Sequence, residues 1–343
     1  MINKTIYLVT GATGFLGSNL TRALVARGCA VRALVHHQSP ALKTVPPEVE
    51  QITGDLLDTD SLARFFDLPD GIDLVVLHCA GFVAVSPEWN QRVYDVNVTG
   101  TQNIIDQCLV RKVKKLVYIS STGAIPELPH GQKIKETDRF DPNLVIGCYS
   151  KTKATATQRV LDAAKSGLDA SVIYPSGIFG PNDYGFSFVT QFIMDYTNGK
   201  MPAGINGSFN SVDVRDLADG VIACALQGEK GAGYIMSGET VTIRALFDAV
   251  RRYAGGRKVR LMLPIPVARF LAHIAGVVSK ITKKPTLLTT FILYNLARNN
   301  DFDCSKAARE LGFSCRPFDE TVRDTVQWLV DEGKIERKSR CKS

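Results

Sequence analysis

The sequence predicts an α/β fold, a doubly wound parallel sheet followed by a smaller C-terminal α/β lid that would bind substrate. Three observations carry this. Up to about residue 180, apolar strand-like runs alternate with amphipathic helical patterns, as parallel strands joined by helices require. A glycine-rich turn, Thr10-Gly11-Ala12-Thr13-Gly14-Phe15-Leu16-Gly17, joins the first such run to the first helix. Beyond residue 180 the rhythm breaks into shorter, irregular elements. These observations divide the chain into 1–180, a Rossmann-type dinucleotide domain, and 181–335, mostly the lid and interleaved with the first at some strands. A basic tail follows at 336–343.

The first strand is Ile6-Tyr7-Leu8-Val9, and the helical pattern Leu16, Leu20, Ala23, Leu24 begins inside the glycine turn. Gly11 allows the tight turn, Gly14 lets backbone approach a pyrophosphate, and Gly17 lets helix pack near strand. Gly11, Thr13, Gly14, Phe15, Leu16 and Gly17 are thus the expected cofactor cradle, with free N–H groups and the positive end of the helix dipole on the phosphates. The helix stops at Arg27-Gly28. A second strand, Ala30 to Val35, leads to His36 and His37. A carboxylate at that strand end would bind the ribose 2′-hydroxyl of NAD; Arg32, His36 and His37 stand there instead, which points to NADP over NAD.

Val49 to Ile52 is a short third strand, followed by Gly54-Asp55-Leu56. Asp55 is placed to accept from the adenine amino group, or else to cap the helix carrying Leu62, Phe65 and Phe66. Leu74 to Cys79 is continuously apolar except His78, as a strand covered on both faces must be, and Ala80-Gly81 leaves room for cofactor. His78 reads as a packed strand histidine. Tyr94 to Cys108 reads as one long helix, and Leu116 to Ser121 as a strand ending in hydroxyls. A polar loop covers Glu136 to Asn143, Tyr149 opens a helix, and Ser171 to Pro175 is one more strand leading to Gly177-Ile178. In the second half, helices are expected over Phe186–Tyr196, Asp216–Leu226, Thr242–Tyr253 and Asp319–Glu332, and strands at Phe209–Val214 and Tyr234–Met236.

Tyr149 and Lys153 lie four apart at a helix start, so they share one face. A free tyrosine has a pKa of about 10, too high for an efficient base, and a neighbouring ammonium lowers it. Lys153 can do this while holding the nicotinamide ribose, and Ser121, 28 residues before Tyr149, can bond the substrate oxygen. The cofactor would supply hydride, the protein geometry and a proton.

These motifs resemble the extended short-chain dehydrogenases/reductases of the NAD-dependent epimerase/dehydratase superfamily, within it the dihydroflavonol-4-reductase and 3β-hydroxysteroid dehydrogenase group. The resemblance runs through Thr10–Gly17, Gly54–Leu56, Asn97–Thr101, Ile119–Ser121, Tyr149–Lys153, Tyr174–Pro181, Val212–Ala218 and Lys306–Phe313, nearly the whole chain. It implies Tyr149 as catalytic acid/base, Lys153 as its partner and ribose ligand, and Ser121 as third member, with Thr122 next in line. It further implies cofactor contacts at His36, Asp55, Leu56, Ala80, Pro175 and Ile178, and a supporting Asn97. His36 departs from the arginine those reductases place at the 2′-phosphate.

The function expected is hydride transfer between NADP or NAD and a ketone or secondary alcohol of an apolar, steroid- or flavonoid-like substrate. A nucleotide-sugar epimerase retaining NAD would need basic residues in the lid, where Lys200 and Arg215 are the obvious ones. A sugar dehydratase would show an Asp-Glu pair where Thr122-Gly123 stands, and a non-catalytic dinucleotide module would usually have lost Tyr149.

At 45% hydrophobic and 22% charged, the 343-residue chain can bury a real core. Part of the +7 charge lies in the tail, at Lys334, Arg337, Lys338, Arg340 and Lys342, with no basic stripe and interleaved aromatics to suggest nucleic acid. Eight cysteines without a C-x-x-C pair fit buried thiols in a reducing cytoplasm and give no metal signature. The first strand begins too early for a signal peptide, and no apolar run is long enough for an integral span. Leu261 to Leu296 is apolar and proline-punctuated. It can line a substrate pocket, pack in a homodimer or touch a membrane peripherally through Phe270, Ile274 and Val277, though ordinary core packing is the expectation.

Overall fold

A computed structural model describes residues 5–338 apart from 37, 40, 85–87 and 283–288, and the side chains of 276–282 also lie outside the description. The strands of the main sheet are β1 (Thr5–Thr10), β2 (Ala30–Val35), β3 (Glu50–Thr53), β4 (Asp73–His78), β5 (Lys115–Ile119), β6 (Ala170–Pro175) and, returning from the second half, β10 (Gly233–Met236). Their order is β10-β6-β5-β4-β1-β2-β3 and every neighbour pair is parallel. The direction of winding reverses at β1, so the crevice at the C-terminal ends of β1 and β4 is the switch point where such sheets take ligands.

Helices cover both faces, which is why the strands read as unbroken apolar runs. On one face, α2 (Thr59–Phe66), α4 (Gly100–Val110) and α5 (Cys148–Lys165) bury Phe65, Phe66, Ile104 and Val160 against Leu8, Val76 and Leu116. On the other, α1 (Phe15–Ala26), α7 (Val214–Gln227) and α11 (Ser305–Leu311) pack Leu20, Val221 and Leu311 onto Val9, Leu77 and Val117. Two helices of the second half therefore belong to the main core.

The lid is built on β7 (Gly177–Phe179), β9 (Ser208–Asp213) and β11 (Thr240–Thr242), with a separate pair of β8 (Ala203–Ile205) and β12 (Leu261–Leu263). Around them stand α6 (Phe188–Thr197), α8 (Ile243–Ala254), α9 (Ile265–Thr282), α10 (Thr290–Ala297) and α12 (Phe318–Asp331), whose aromatic core holds Phe179, Phe247 and Trp328. Asp213 ties this lid to the sheet. It is fully buried, caps α7 through Arg215 N, pairs with the Arg215 guanidinium at 2.8 Å and accepts from Thr321 of α12.

Three local expectations are revised. The helix expected from Tyr94 starts earlier, as α3 (Gln91–Tyr94), because the Asn90 side chain caps it by accepting from Arg92 N and Val93 N. It then runs through a wider π turn at Asp95–Thr99 before α4. Asp58, not Asp55, caps α2. The core packing expected for 261–296 is met in part: Phe291 and Leu293 are buried, whereas among its described side chains α9 buries the small Ala268 and Ala272, packed against Leu293. Among the described residues no helix is long and apolar enough to cross a membrane.

Candidate active site

The glycine turn is shaped by contacts that only hydrogen side chains permit. Gly11 sits at φ +71°, and a Cβ there would fall 2.7 Å from Ala80 N after β4. A Cβ on Gly17 would lie 2.0 Å from the Gly11 carbonyl oxygen, which already accepts from Gly14 N at 2.9 Å. Gly14 occupies the N-cap of α1 and no side chain caps that terminus, so its N–H groups and dipole face the crevice. Ala80, bonded to Thr10 Oγ1 at 3.2 Å, borders the same crevice. Leu56 is buried against Gly100. Pro175 ends β6 and Ile178 pairs with Val212 in the lid sheet, so both stand where sheet meets lid.

At the ribose end the charged residues separate. Arg32 does not face the crevice: its guanidinium forks onto Glu50 at 2.8 Å, its cross-strand neighbour, and donates to the carbonyls of Phe65 and Asp67. This removes it from the 2′-phosphate set. His37 lies outside the described residues, leaving His36, whose Nε2 is 3.8 Å from Asp55 Oδ2. Asp55 also accepts from Leu57 N, as an Asx turn rather than a helix cap. Arg32→Ala is therefore expected to lower stability by about 1–3 kcal/mol, through the lost charged donor to the buried Phe65 carbonyl and the part-buried Asp67 carbonyl, with the NADH-to-NADPH affinity ratio unchanged. A changed ratio in parallel titrations would restore Arg32 to the binding set.

Tyr149, Lys153 and Ser121 converge at the ends of β5 and α5. Lys153 is buried at 4% exposure. Its Nζ donates to the Ile119 carbonyl at 2.7 Å and the Tyr118 hydroxyl at 3.3 Å, and stands 4.8 Å over the Tyr118 ring. A Cβ on Gly81 would sit 3.3 Å from that ammonium and 3.4 Å from Asn97 Oδ1, so a glycine keeps the approach to Lys153 open. Asn97 clamps the adjoining loop by accepting from Phe82 N and donating to Phe82 O, and it also donates to Thr152 beside Lys153. The backbone-lined turn, uncapped α1 and glycine-fronted lysine fit a nicotinamide dinucleotide, which would supply hydride.

Ser121 accepts from Gly123 N at 3.0 Å and acts on the Tyr149 hydroxyl by lowering its pKa, whereas Thr122 is buried in the following turn. The expected lowering of the tyrosine by Lys153 is not realised. Burial pushes the Tyr149 hydroxyl up to about 12, with Ser121 acting the other way; the Lys153 ammonium donates to Ile119 and Tyr118. Tyr149 thus holds its proton at neutral pH. His78 is fully buried between Thr10 and Thr101 hydroxyls, and burial takes it down to about 3, so it stays neutral and structural.

Burial lowers Lys153 from its ordinary 10.5 to about 8, with Cys79 acting the other way. Between those pH values the unfolded chain holds a proton that the folded chain has released, so this group's contribution to stability rises with pH across that window. Below pH 8 the cost of the buried ammonium is felt in full. Raising pH from about 7.5 to 9.5 should stabilise the dinucleotide-free protein by about 2 kcal/mol relative to Lys153→Met. Urea unfolding checks this, and parallel pH dependence in both proteins would refute it.

One feature of the lid carried little sequence signal. An apolar cavity of about 450 Å³ opens between β7, α6, β8, β9, α8, β12 and α10, with Gly177 on its rim and Phe188, Phe192, Met201, Phe209 and Leu246 in its walls. Its residues come from seven elements, Leu263 of β12 among them, so no single pattern exposes it; Leu263, Ile292, Asn295 and Leu296 belong to the stretch suspected from composition. Lys200 and Arg215, the lid cations, are absent from its lining. Arg215 is committed to Asp213 and Asp324, and Lys200 pairs with Asp195.

Comparison with known proteins agrees with this geometry. The model of the NAD dependent epimerase/dehydratase family matches residues 7–237. The chain is 32% identical to Sterol demethylase protein B of Methylococcus capsulatus, over 96% of this chain and 99% of that one. It is 28% identical to a putative dihydroflavonol 4-reductase of Synechocystis, covering 96% of each. The crystal structure of gox2253 superposes with a TM-score of 0.83 at 30% identity, covering 96% of this chain and 99% of that one. With two thirds of its length matched by that model, the chain belongs to the NAD dependent epimerase/dehydratase family, as an oxidoreductase of the extended short-chain dehydrogenase/reductase type.

Proposed function

We propose that this enzyme reduces a ketone on an apolar, polycyclic substrate of steroid-like or flavonoid-like shape, with NADPH favoured over NADH. The observation that carries the reading is the 450 Å³ cavity, whose walls are aliphatic and aromatic. Its size suits a small-molecule site. Asp195 is its charged lining residue, and a diphosphate would gain no cation there while losing its water. That disfavours the nucleotide-sugar epimerase reading, as Thr122-Gly123 disfavours a dehydratase and the intact Tyr149 disfavours a non-catalytic module. The names of the sterol demethylase and dihydroflavonol reductase relatives point the same way.

In the reductive direction Tyr149 would be the acid. A hydroxyl whose pKa is about 12 is ready to give a proton, so it would protonate the carbonyl oxygen as hydride reaches the carbon, with Ser121 bonding the same oxygen. Lys153 would hold the nicotinamide ribose. Preference for NADPH rests on His36, the described residue left at the 2′-position.

The test is oxidation of NADPH and NADH with steroid, flavonoid and UDP-sugar panels. Turnover of a polycyclic ketone is expected; epimerised UDP-sugar with no ketone reduced would overturn the reading. Phe188, half exposed on the cavity wall, gives a further check. Phe188→Ala should raise KM about tenfold with kcat nearly kept, since it removes apolar contact made equally in ground and transition states. A fall in kcat at constant KM would place Phe188 in the chemistry instead.

A further inference from the structure

The helix α9 is amphipathic in the inverse of the usual sense. It turns Ala268 and Ala272 inward onto Leu293, while Phe270 and Ile274 are 68% and 48% exposed, with Val267 and Leu271 also on the surface. Positions 267, 270, 271 and 274 recur at helical spacing, so these large side chains form one outward stripe. Leu261 of the preceding strand β12 is exposed as well. An uncovered apolar stripe of this kind marks an interaction surface.

Charge says what covers it. From residue 249 to residue 300 the sequence contains no Asp or Glu, yet it holds ten of the 41 basic residues (251, 252, 257, 258, 260, 269, 280, 283, 284 and 298). The rest of the chain is slightly acidic. Arg257, Lys258 and Arg260 lead into β12 and Arg269 stands within α9; all four are exposed, and none forms an ion pair among the described residues. Large apolar side chains flanked by unpaired cations are the composition of a helix lying in an anionic lipid surface.

We propose that α9, with Arg257–Leu261 leading into it, docks this enzyme onto an anionic bilayer, with Phe270 and Ile274 inserted between headgroups. The position is functional. Ile205 and Leu263 pack against the same small cluster as Ala268 and Ala272, and both line the apolar cavity, so α9 is the wall between that cavity and the proposed bilayer. Docking does not depend on which substrate is turned over, and it is read without catalysis.

The experiment is co-sedimentation of the full chain with phosphatidylcholine vesicles, with and without phosphatidylglycerol, at low and high salt. Binding is expected with anionic vesicles and should weaken as salt rises. Phe270→Ser with Ile274→Ser should weaken it about tenfold or more, and each of Arg257→Gln, Lys258→Gln and Arg260→Gln about fivefold. Dinucleotide binding and unfolding midpoint should match wild type in all of them, since these side chains are exposed. Failure of the wild type to sediment with anionic vesicles, or undiminished binding by the variants, would overturn the proposal. So would a dimeric wild type that becomes monomeric in the Phe270/Ile274 variant without vesicle binding by either, which would give the stripe to a second copy.

Discussion

Tyr149→Phe is expected to lower kcat by about 10²–10⁴ while dinucleotide affinity stays within about twofold of wild type. The variant removes one oxygen and leaves the ring, so α5 and the neighbouring Lys153 keep their packing. What disappears is the phenol that holds a proton at neutral pH and is influenced by Ser121. Lys153 cannot replace it, because its ammonium is turned to Ile119 and Tyr118. Single-turnover reduction with pre-bound cofactor separates the chemical step from binding. Turnover within about tenfold of wild type would remove Tyr149 from the proton transfer and leave the mechanism without its acid.

Gly17→Ala is the second large expectation. The added methyl would overlap the Gly11 carbonyl, 2.0 Å from its oxygen and 2.7 Å from its carbon. Both groups are backbone, so the overlap cannot be relieved by a rotamer; α1 must move off β1 or the turn must open. Either movement displaces the N–H groups that would receive the diphosphate. Affinity for the dinucleotide should fall at least about 100-fold, with about 1–3 kcal/mol of lost stability. Gly28→Ala is the matched control: at φ +71° it is strained by about 1 kcal/mol, yet nothing lies within 4 Å of its new methyl. It should bind cofactor normally. Normal binding by Gly17→Ala as well would mean that close packing of helix on strand is not what shapes the site.

The main sheet was legible because burial on both faces leaves strands continuously apolar, and the glycine turn because its requirements are met within eight consecutive residues. Tyr149 and Lys153 were legible as a helical pair, but the partners of Lys153 were not. Tyr118 and Ile119 lie over thirty positions away, and only folding brings them to the ammonium. Arg32 misled for the same reason, since its partner Glu50 sits on the next strand in register. Periodicity in α9 announced one apolar face without saying whether that face turns inward, and the Ala268/Ala272 side does.

What the sequence by itself determined was the set of reacting groups and the backbone cradle, because spacing of three or four residues and the absence of a Cβ act locally. Tertiary structure alone decided which charges are spent and which remain free, since pairing and desolvation depend on neighbours distant along the chain. It turned Arg32 into a brace and gave Tyr149 a proton that its lysine does not draw away. It also assembled an apolar chamber from seven separate elements and left Phe270 and Ile274 of α9 facing outward.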